Sequence, residues 1–449
     1  MSGSAVQSSR PGVQIVHGAE QVRRTLLARS PELVTIDESA VAAASSVFGE
    51  TLTPTAFVER VIREVRDEGD GAVRRIAAAL GDHVGTTFEI GTAELADASR
   101  RIDPELRGDI ELAAERIRDY HEREMPAGFD LPGLGVGQQW IPVDRAGLHV
   151  PGQAAPLVSS LLMAAVPARV AGVGETVVTT PVRSEGIAPA LAAAAEVAGV
   201  DRVFGLGGAQ AIAALALGTS SVPRCDVIVA PGNAWVMLAT RALYGVVGVD
   251  LLPGPTETLV IADAAADAAE VAADLIAQAE HGGPASPIAL TSDPGVAAEV
   301  AREVEIQLAT LPRADVAWDS FEQRGGVGVV DDLAQAVELS NEYGPEHLCL
   351  LVEDPEALLP LVRHAGGVFL GSASPEVLGD YVAGPSHIMP TGGTARFASP
   401  VGVRSFLKTV SIVRLSADRA AALAPAAARL ARAEGLEGHA RAAERRAAP

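Results

Sequence analysis

The feature that most constrains the fold is an alternation of short β-branched runs with alanine-rich helical stretches between Gly147 and Tyr244. The runs GLHV, ETVVTT, RVFGL and DVIVA are each followed by a stretch of helical character. Strands that alternate with helices in this way pair in parallel, because each helix carries the chain back along the sheet. The segment therefore predicts four strand–helix units in a doubly wound parallel sheet.

A second alternation begins after Gly254, with the runs ETLVIAD, PIALT, GVGVV, HLCLLV and GVFLG. Asp293 and Pro294 are suited to the N-cap and first turn of one of its helices. The stretch before Gly147 and the alanine- and arginine-rich end of the chain both have helical patterns. We therefore predict an α/β protein with two doubly wound, Rossmann-like parallel-sheet domains and helical N- and C-terminal extensions. The predicted domains are an N-terminal helical extension (1–43), a discontinuous first α/β domain (44–146 and 254–400), a second α/β domain (147–253) and a helical C-terminal tail (401–449).

Composition narrows the possible partners and compartments. With 449 residues, 48% of them hydrophobic, the chain can bury more than one core. A formal net charge of −22 would repel phosphate backbones, so we expect no nucleic-acid partner. The chain has neither a long uncharged apolar run nor an apolar segment at its start, so we expect no membrane span or secretory signal. Two cysteines, Cys225 and Cys349, fit a reducing cytoplasm.

Lys408 is the only lysine in the chain. The phosphate-binding pattern G-x-x-x-x-G-K-[ST] is consequently missing, and Schiff-base chemistry would depend on that one residue. A lysine-based aldolase or a pyridoxal enzyme is therefore a poor fit to this sequence.

The stretch EYGPEHL places Glu346 beside His347, just before an apolar run. Pro345 is suited to the first turn of a helix, where the helix dipole would keep His347 neutral. A neutral imidazole could act as a general base, and Glu346 could orient it or activate a water molecule. The plainer interpretation is a first-turn helix charge next to a surface histidine.

In QAEHGG, Gln278 and His281 are three residues apart at the end of a predicted helix, so they share one face. The His281 imidazole and the Gln278 amide oxygen could both bind a metal, although glutamine is an unusual ligand for zinc. The alternative is a histidine that interacts with the helix dipole at a C-terminus.

Two further motifs contain candidate residues. LGDYVAGPSH places Asp380 and His387 in a predicted loop after the strand GVFLG, and ligands commonly bind beyond the carboxyl ends of parallel strands. The alternative for Asp380 is a turn former. EGLEGH places Glu434 and His439 close to the end of the chain, on a segment that could otherwise be a solvated helix.

Two glycine-rich turns follow predicted strands. GLGGAQ precedes the helix that contains Gln210, and APGNAW contains Asn233. Glycines at these positions allow a phosphate to approach the backbone, yet neither turn has the pattern G-x-G-x-x-G. A dinucleotide would have to bind to a non-standard version of the fold.

Eight segments, in this order, resemble the histidinol dehydrogenase family. They are HVPGQAAPLVSSLLMAAVPARVAGV, GGAQAIAALALGT, PGNAWV, GPTETLVIAD, DLIAQAEHG, EYGPEHL, LGDYVAGPSHIMPTGG and EGLEGHA. The resemblance implies a homodimer with one Zn²⁺ per subunit and NAD as cofactor. It also implies a four-electron oxidation of L-histidinol to L-histidine through L-histidinal, in histidine biosynthesis. The active sites would be shared, since in the family the ligand nearest the C-terminus comes from the partner subunit.

The resemblance also implies a role for each matching residue. Glu346 and His347 match the catalytic pair, and Gln210 and Asn233 match cofactor contacts. The implied zinc ligands are Gln278, His281, Asp380 and His439. The implied substrate contacts are Thr256, Gln278, His281, His347, Asp380, His387, Glu434 and His439.

The chain departs from the family pattern on the cofactor side. HVPGQ stands where YVPGG is usual, and Leu157 stands where a tyrosine follows, which puts the contacts of His149 and Gln153 in question. Two alternatives remain open: a sister dehydrogenase that oxidises another polar primary alcohol such as a sulfonated propanediol, and a non-catalytic binding homologue on the same scaffold.

Overall fold

The computed structural model describes residues 12–29, 36, 38–152, 156–252 and 254–446. The chain forms two compact units, one made of Met1–Glu124 with Asp144–Phe406, the other of Met125–Val143 with Leu407–Pro449. Among the described residues, no helix combines the length and apolar character needed to cross a bilayer.

The larger unit contains a six-stranded parallel sheet, the first sheet. Its strands, in spatial order, are β1 (Ile15–His17), β12 (Gly326–Val329), β11 (Ser286–Thr291), β10 (Glu257–Ala262), β13 (His347–Leu351) and β14 (Gly367–Leu370). The helices near this sheet in the chain are α1 (Ala19–Arg24), α11 (Ala268–Ala279), α12 (Pro294–Leu308), α13 (Ala314–Arg324), α14 (Leu333–Tyr343), α15 (Pro355–Leu358) and α16 (Glu376–Tyr381).

The central strands of the first sheet are covered on both faces. Every residue of β10, β11 and β13 is buried, which explains why these strands appear in the sequence as continuous apolar runs. Helix α12 buries Val300, Val304 and Leu308 against the sheet, the stripe expected of a packed helix. The Asp293 carboxylate accepts a hydrogen bond from Gly295 N at 2.7 Å, so the predicted N-cap is confirmed.

The second sheet of the larger unit also has six strands. In spatial order they are β2 (Glu89–Ile90), β7 (Arg202–Gly205), β6 (Glu175–Thr180), β5 (Arg145–His149), β8 (Val227–Val229) and β9 (Gly248–Val249), with β2 antiparallel to β7. The helices near it in the chain are α2 (Glu38–Ser46), α3 (Pro54–Glu68), α4 (Asp70–Ala79), α5 (Thr92–Ser99), α6 (Pro104–Glu124), α7 (Val158–Ala171), α8 (Pro189–Ala198), α9 (Gly208–Leu217) and α10 (Ala234–Ala242).

The predicted fold class, two Rossmann-like parallel sheets, is confirmed, and the N-terminal segments associate with both sheets. Strand β1, from the predicted helical extension, pairs with β12 of the first sheet. Residues 44–146 were grouped with the first sheet, yet α3 and α4 pack in the core beside α9 of the second. Amphipathic helices carry no sequence signal for which sheet they cover. The division of the chain into folding domains stays a prediction.

The smaller unit consists of a three-stranded antiparallel sheet and a helical hairpin. Its elements are β3 (Phe129–Leu131), β4 (Val136–Pro142), β15 (Leu407–Val413), α17 (Ala417–Ala433) and α18 (Glu437–Glu444). Strand β15 pairs with β4 from Leu407 opposite Pro142 to Val413 opposite Val136. The helices predicted at the end of the chain are present as α17 and α18, whereas the strand β15 that precedes them was not predicted.

Candidate active site

The predicted catalytic residues lie at the amino ends of two adjacent strands in the first sheet. Strands β10 and β13 run parallel, with Thr258 opposite His347. Thr256 and Glu346 stand immediately before these strands, and the Thr256 hydroxyl donates a hydrogen bond to Glu346 Oε2 at 2.6 Å. Two residues about ninety positions apart in sequence thus contact each other because their strands are neighbours.

The local structure around Glu346 differs from the predicted helix start. Helix α14 ends at Tyr343, and Gly344 follows in the left-handed conformation with φ of 61°, which a glycine adopts without strain. The chain then enters β13 at His347. The helix-dipole argument for a neutral His347 was therefore wrong, because no helix begins here.

His347 is buried among carboxylates. Its Nδ1 is 3.2 Å from the backbone oxygen of Glu257, and 3.7 Å from both Glu346 Oε2 and Glu376 Oε1. The other ring nitrogen, Nε2, is 3.6 Å from Asp380 Oδ1 and has no hydrogen-bond partner among the described residues. Since the Glu257 oxygen can only accept, Nδ1 carries the proton, and Nε2 is the atom available for proton transfer.

These carboxylates determine the charge of the site. Burial alone would lower the pKa of His347, but the negative charges of Glu376, Glu346 and Asp380 outweigh it and raise that pKa to about 10. Burial raises the pKa of Glu346 and of Glu376 to about 7, against the opposing effect of His347. Without a further positive charge, the imidazole is therefore cationic at neutral pH, contrary to the expectation from sequence.

Asp380 lies on helix α16, and not in a loop beyond the carboxyl end of β14 as predicted. The short helix returns the chain to the amino end of the sheet, where Asp380 meets His347. Burial opposes ionisation, but the nearby positive charge of His347 lowers the pKa of Asp380. His387 follows in a loop, with its Nδ1 2.8 Å from the Asp380 backbone oxygen and its Nε2 3.3 Å from Ser160 Oγ.

Gln278 and His281 reach the same site from helix α11. Gln278 is buried in the last turn, and His281 lies two residues beyond the end of the helix. Burial lowers the pKa of His281, whereas the nearby charge of Asp380 raises it. The structure thus brings four of the predicted positions, Gln278, His281, Asp380 and His387, close to His347.

Hydrogen bonding decides the orientation of the Gln278 amide. With its nitrogen toward Thr256, the amide oxygen would face the acceptor Glu376 Oε1. Turned by 180°, the nitrogen donates to Glu376 Oε1 at 2.8 Å. The oxygen then accepts from the Thr256 hydroxyl and from the Glu257 backbone N–H, two donors that it shares with Glu346 Oε2. We adopt this second orientation, because it gives both the oxygen and the nitrogen of the Gln278 amide a complementary hydrogen-bond partner.

The donor atoms are compatible with a divalent cation. Ligand atoms of His347, Glu376 and Asp380 all lie within 4.8 Å of one another. Imidazole nitrogen and carboxylate oxygen are both ligands that zinc accepts, and the buried negative charge would favour a cation. Of the four predicted zinc ligands, Asp380 belongs to this group.

Glu376, Glu257 and Arg29 were missed by sequence analysis. Glu376 precedes Asp380 by four residues on α16, a spacing that places both side chains on one face. Arg29 donates to the buried Glu257 carboxylate from Nε at 3.0 Å and from Nη2 at 2.7 Å. Its guanidinium also lies 3.7 Å from the centre of the Tyr343 ring. The i, i+4 spacing could have indicated Glu376, whereas nothing in the sequence connects Arg29 with Glu257.

Glu434 and His439 lie in the smaller unit. Glu434 caps the end of α17, and His439 lies in the first turn of α18. Both side chains are exposed. Their predicted roles at a site shared between subunits stay a prediction.

The predicted cofactor residues lie at the carboxyl end of the second sheet. Gln210 in α9 is fully buried, and its Oε1 has no hydrogen-bond partner among the described residues, while its Nε2 donates to Asp82 Oδ2 at 3.2 Å. Asn233 caps α10 by accepting from Trp235 N and Val236 N. Gln153 is outside the described residues.

His149 and Leu157 occupy very different environments. Leu157 is the partly exposed residue before α7. His149 ends β5 and is buried, with Nδ1 3.0 Å from Thr179 Oγ1. Burial lowers the pKa of His149 to about 4.

The buried His149 should make the protein less stable in mild acid. Its pKa is about 4 when folded, against 6.5 as a reference, so the unfolded chain binds the extra proton as the pH falls between these values. The stabilisation is complete above pH 6.5 and is lost toward pH 4, by about 2–3 kcal/mol. The measurement is the denaturant concentration at the midpoint of unfolding, determined at several pH values in this range. This midpoint should change less with pH in His149→Gln than in wild type. The exposed His83→Gln should keep the wild-type profile, and two parallel profiles for wild type and His149→Gln would contradict the expectation.

Fold and site together define the class of the protein: an α/β enzyme with two Rossmann-like sheets and a buried imidazole–carboxylate site. The family model described as histidinol dehydrogenase matches residues 50–447. The histidinol dehydrogenase of Deinococcus radiodurans is 48% identical over 97% of this chain and 100% of its own length. The histidinol dehydrogenase of Thermus thermophilus is 49% identical over 88% of this chain and 95% of its own length. The crystal structure of histidinol dehydrogenase from Elizabethkingia anophelis aligns with a TM-score of 0.87 at 30% identity, covering 97% of this chain and 98% of that one.

The chain belongs to the histidinol dehydrogenase family. The predicted family and the predicted enzyme class, a dehydrogenase, are both confirmed.

Proposed function

We propose that this chain is a zinc-dependent, NAD-linked enzyme that oxidises L-histidinol to L-histidine through L-histidinal, in the last steps of histidine biosynthesis. Relatives of nearly full length that are called histidinol dehydrogenases support the substrate. One observation carries the chemistry: the buried His347 Nε2 stands 3.6 Å from Asp380 Oδ1 and has no hydrogen-bond partner among the described residues. A basic nitrogen beside a carboxylate that could bind a metal ion is well placed to deprotonate an alcohol bound at the same point.

The residues present suit zinc. Gln278, His281 and Asp380 would hold the ion, together with His439 of the partner subunit. When bound, the ion would polarise the alcohol oxygen as a Lewis acid. A double positive charge among these carboxylates would also lower the pKa of His347 toward that of a neutral base.

His347 would then take a proton in each oxidation step. Its Nδ1–H is held by the Glu257 backbone oxygen at 3.2 Å, which directs Nε2 toward the substrate hydroxyl. As the O–H bond breaks and the proton moves to Nε2, the C–H electron pair leaves as hydride for NAD⁺, and a carbonyl forms. Two such steps reduce two NAD⁺ molecules.

Glu346 would act between the two oxidations. Thr256 Oγ1 and the Glu257 backbone N–H both donate to its Oε2, which fixes the carboxylate and leaves Oε1 to accept a proton. The water that loses this proton adds its oxygen to the aldehyde carbon. The carbonyl oxygen takes up the proton that His347 Nε2 received in the first step, which completes the hydrate and leaves the imidazole neutral. His347 then deprotonates the hydrate, and the second hydride leaves for a second NAD⁺.

The remaining assignments concern substrate and cofactor recognition. Thr256 and His387 would contact the substrate, and the Glu434 carboxylate is suited to its cationic amino group. Gln210 and Asn233 would contact NAD. Because both oxygen lone pairs of the Asn233 amide are occupied at the start of α10, its Nδ2 would donate to the cofactor. On this proposal the enzyme is a cytoplasmic homodimer, in keeping with the free and buried Cys225 and Cys349.

Counting NADH tests this function directly. With limiting L-histidinol and excess NAD, we expect two NADH per substrate and histidine as the product. Chelator-treated protein should lose activity and regain it on addition of zinc. One NADH per substrate would mean release at the aldehyde. Faster turnover of a sulfonated propanediol than of histidinol would instead favour the sister-dehydrogenase alternative.

A further inference from the structure

Glu376 is a buried carboxylate at the wall of the site that the proposed reaction does not use, although its oxygen lies among the atoms that could hold a cation. Its side chain is 2% exposed, at the start of α16. One oxygen, Oε2, accepts a hydrogen bond from Thr258 Oγ1. The other, Oε1, lies 2.8 Å from the Gln278 amide nitrogen and 3.7 Å from His347 Nδ1. Glu376 thus contacts both the proposed base and a proposed metal ligand.

The lack of a strong counter-ion distinguishes Glu376 from its buried neighbour Glu257. Glu257 is paired with the Arg29 guanidinium through two hydrogen bonds. Within the described part of the chain, the only basic group that forms an ion pair with Glu376 is His347. A buried carboxylate costs several kcal/mol unless a charge or hydrogen bonds compensate it. A costly buried carboxylate next to a reactive histidine is typical of a functional site.

We propose that Glu376 is a positioning residue for the proposed reaction, which orients the His347 ring and the Gln278 amide together. At 3.7 Å its oxygen is too far from Nδ1 for a hydrogen bond, so it acts on the ring by charge, while the Glu257 carbonyl accepts the Nδ1 proton. Its negative charge stabilises the imidazolium that forms when Nε2 takes the substrate proton. Glu376 touches neither substrate nor cofactor, and it acts through His347.

The same carboxylate sets the orientation of Gln278. Because Glu376 Oε1 accepts a hydrogen bond from the Gln278 amide nitrogen, the amide oxygen is turned toward the Thr256 side of the site. Outer groups that orient a metal ligand or a base in this way typically change activity or metal affinity by about 10- to 100-fold when replaced.

The test is the isosteric variant Glu376→Gln, which keeps the size and removes the charge. We expect kcat to fall about 10- to 100-fold, with KM for the alcohol within about threefold of wild type. With zinc in excess, zinc content should stay at the wild-type value even if the ion binds more weakly. Tm should not fall, since a buried charge has been removed. Glu376→Asp, which retains the charge on a shorter chain, should recover part of kcat.

A structural readout and a matched control complete the test. In a crystal structure of Glu376→Gln, we expect the His347 ring to turn away from the Glu257 carbonyl. Asp274→Asn also removes a buried carboxylate, from α11, and should leave kcat within about twofold. Within the described part of the chain, Asp274 forms no hydrogen bond or ion pair with Glu346, His347 or Glu376.

Several results would overturn this inference. A variant with wild-type kcat and an unmoved His347 ring would show that the charge is not needed. Loss of zinc even with the ion in excess would assign Glu376 to the metal as a direct ligand. A fall in Tm with proportional loss of active protein would make its role structural. Wild-type turnover of histidinol is measured first, so a failure of the proposed function is seen separately. The variants are then compared using the primary alcohol that the wild-type enzyme oxidises. The orientation of the His347 ring is taken from the crystal structure and does not depend on turnover.

Discussion

Replacing His347 with asparagine should lower kcat by about 10²- to 10⁴-fold, the range that a positioned general base contributes. The reason is geometric: Nε2 is the ring atom available for the proton, and its neighbour Asp380 Oδ1 stands 3.6 Å away. Asparagine can keep a donor near the Glu257 carbonyl but offers no basic nitrogen. Because a base acts mainly in the transition state, KM should change by less than about threefold.

Steady-state kinetics with histidinol and NAD, together with zinc analysis, would measure this effect. His17→Asn, an exposed residue on β1, is the matched control and should keep wild-type kcat. A His347→Asn enzyme of near-normal rate and full zinc content would remove His347 from the role of base. Loss of zinc in this variant would indicate that the imidazole binds the metal.

Mixing two inactive variants should restore activity if the sites are shared between subunits. Asp380→Asn removes a proposed zinc ligand of one chain, and His439→Asn removes the ligand given to the partner subunit. In a mixed dimer, one of the two sites then contains both defects and the other contains none. With random exchange of subunits, about half of the dimers are mixed, so about a quarter of wild-type activity should return.

Unfolding and refolding the two variants together provides the exchange, with each variant refolded alone as the control. Each alone should have less than about a hundredth of wild-type activity, because a missing ligand weakens a catalytic metal site strongly. If the mixture stays as inactive as the separate variants, His439 acts on its own chain or on no metal at all. Full activity of His439→Asn alone would exclude it as a ligand.

The two parallel sheets were predictable because strands buried on both faces appear as apolar runs between helical stretches. Leu259 and Ile288, for example, lie in runs that a sequence pattern detects without any structural information. The antiparallel pairing of β15 with β4 was not predicted. It joins segments more than 250 residues apart, and an alanine-rich tail gives no indication of the partner strand.

The sequence indicated which residues belong to the candidate site. It did not indicate how these residues are arranged in space. Gln278 and His281 were correctly placed near the end of one helix. The charge of His347 could not be predicted from the sequence. It depends on Glu376 and Asp380, which lie on helix α16 and reach the imidazole only in the folded chain. Pro345 suits a helix start and a strand entry equally, so only the pairing of β13 with β10 decided between them.

The salt bridge between Arg29 and Glu257 limits how far the chain can be shortened. The family match begins at residue 50, which invites fragments that start there. Such a fragment would lack both β1, an edge strand of the first sheet, and the guanidinium that neutralises Glu257. Leaving the buried Glu257 carboxylate without its counter-ion would lower the stability of the fold by about 3–5 kcal/mol. The backbone of Glu257 also forms the hydrogen bonds that hold Glu346 and His347. The early residues outside the family match thus support the proposed active site, and we expect a fragment that begins at residue 50 to lose activity although it keeps every proposed catalytic residue.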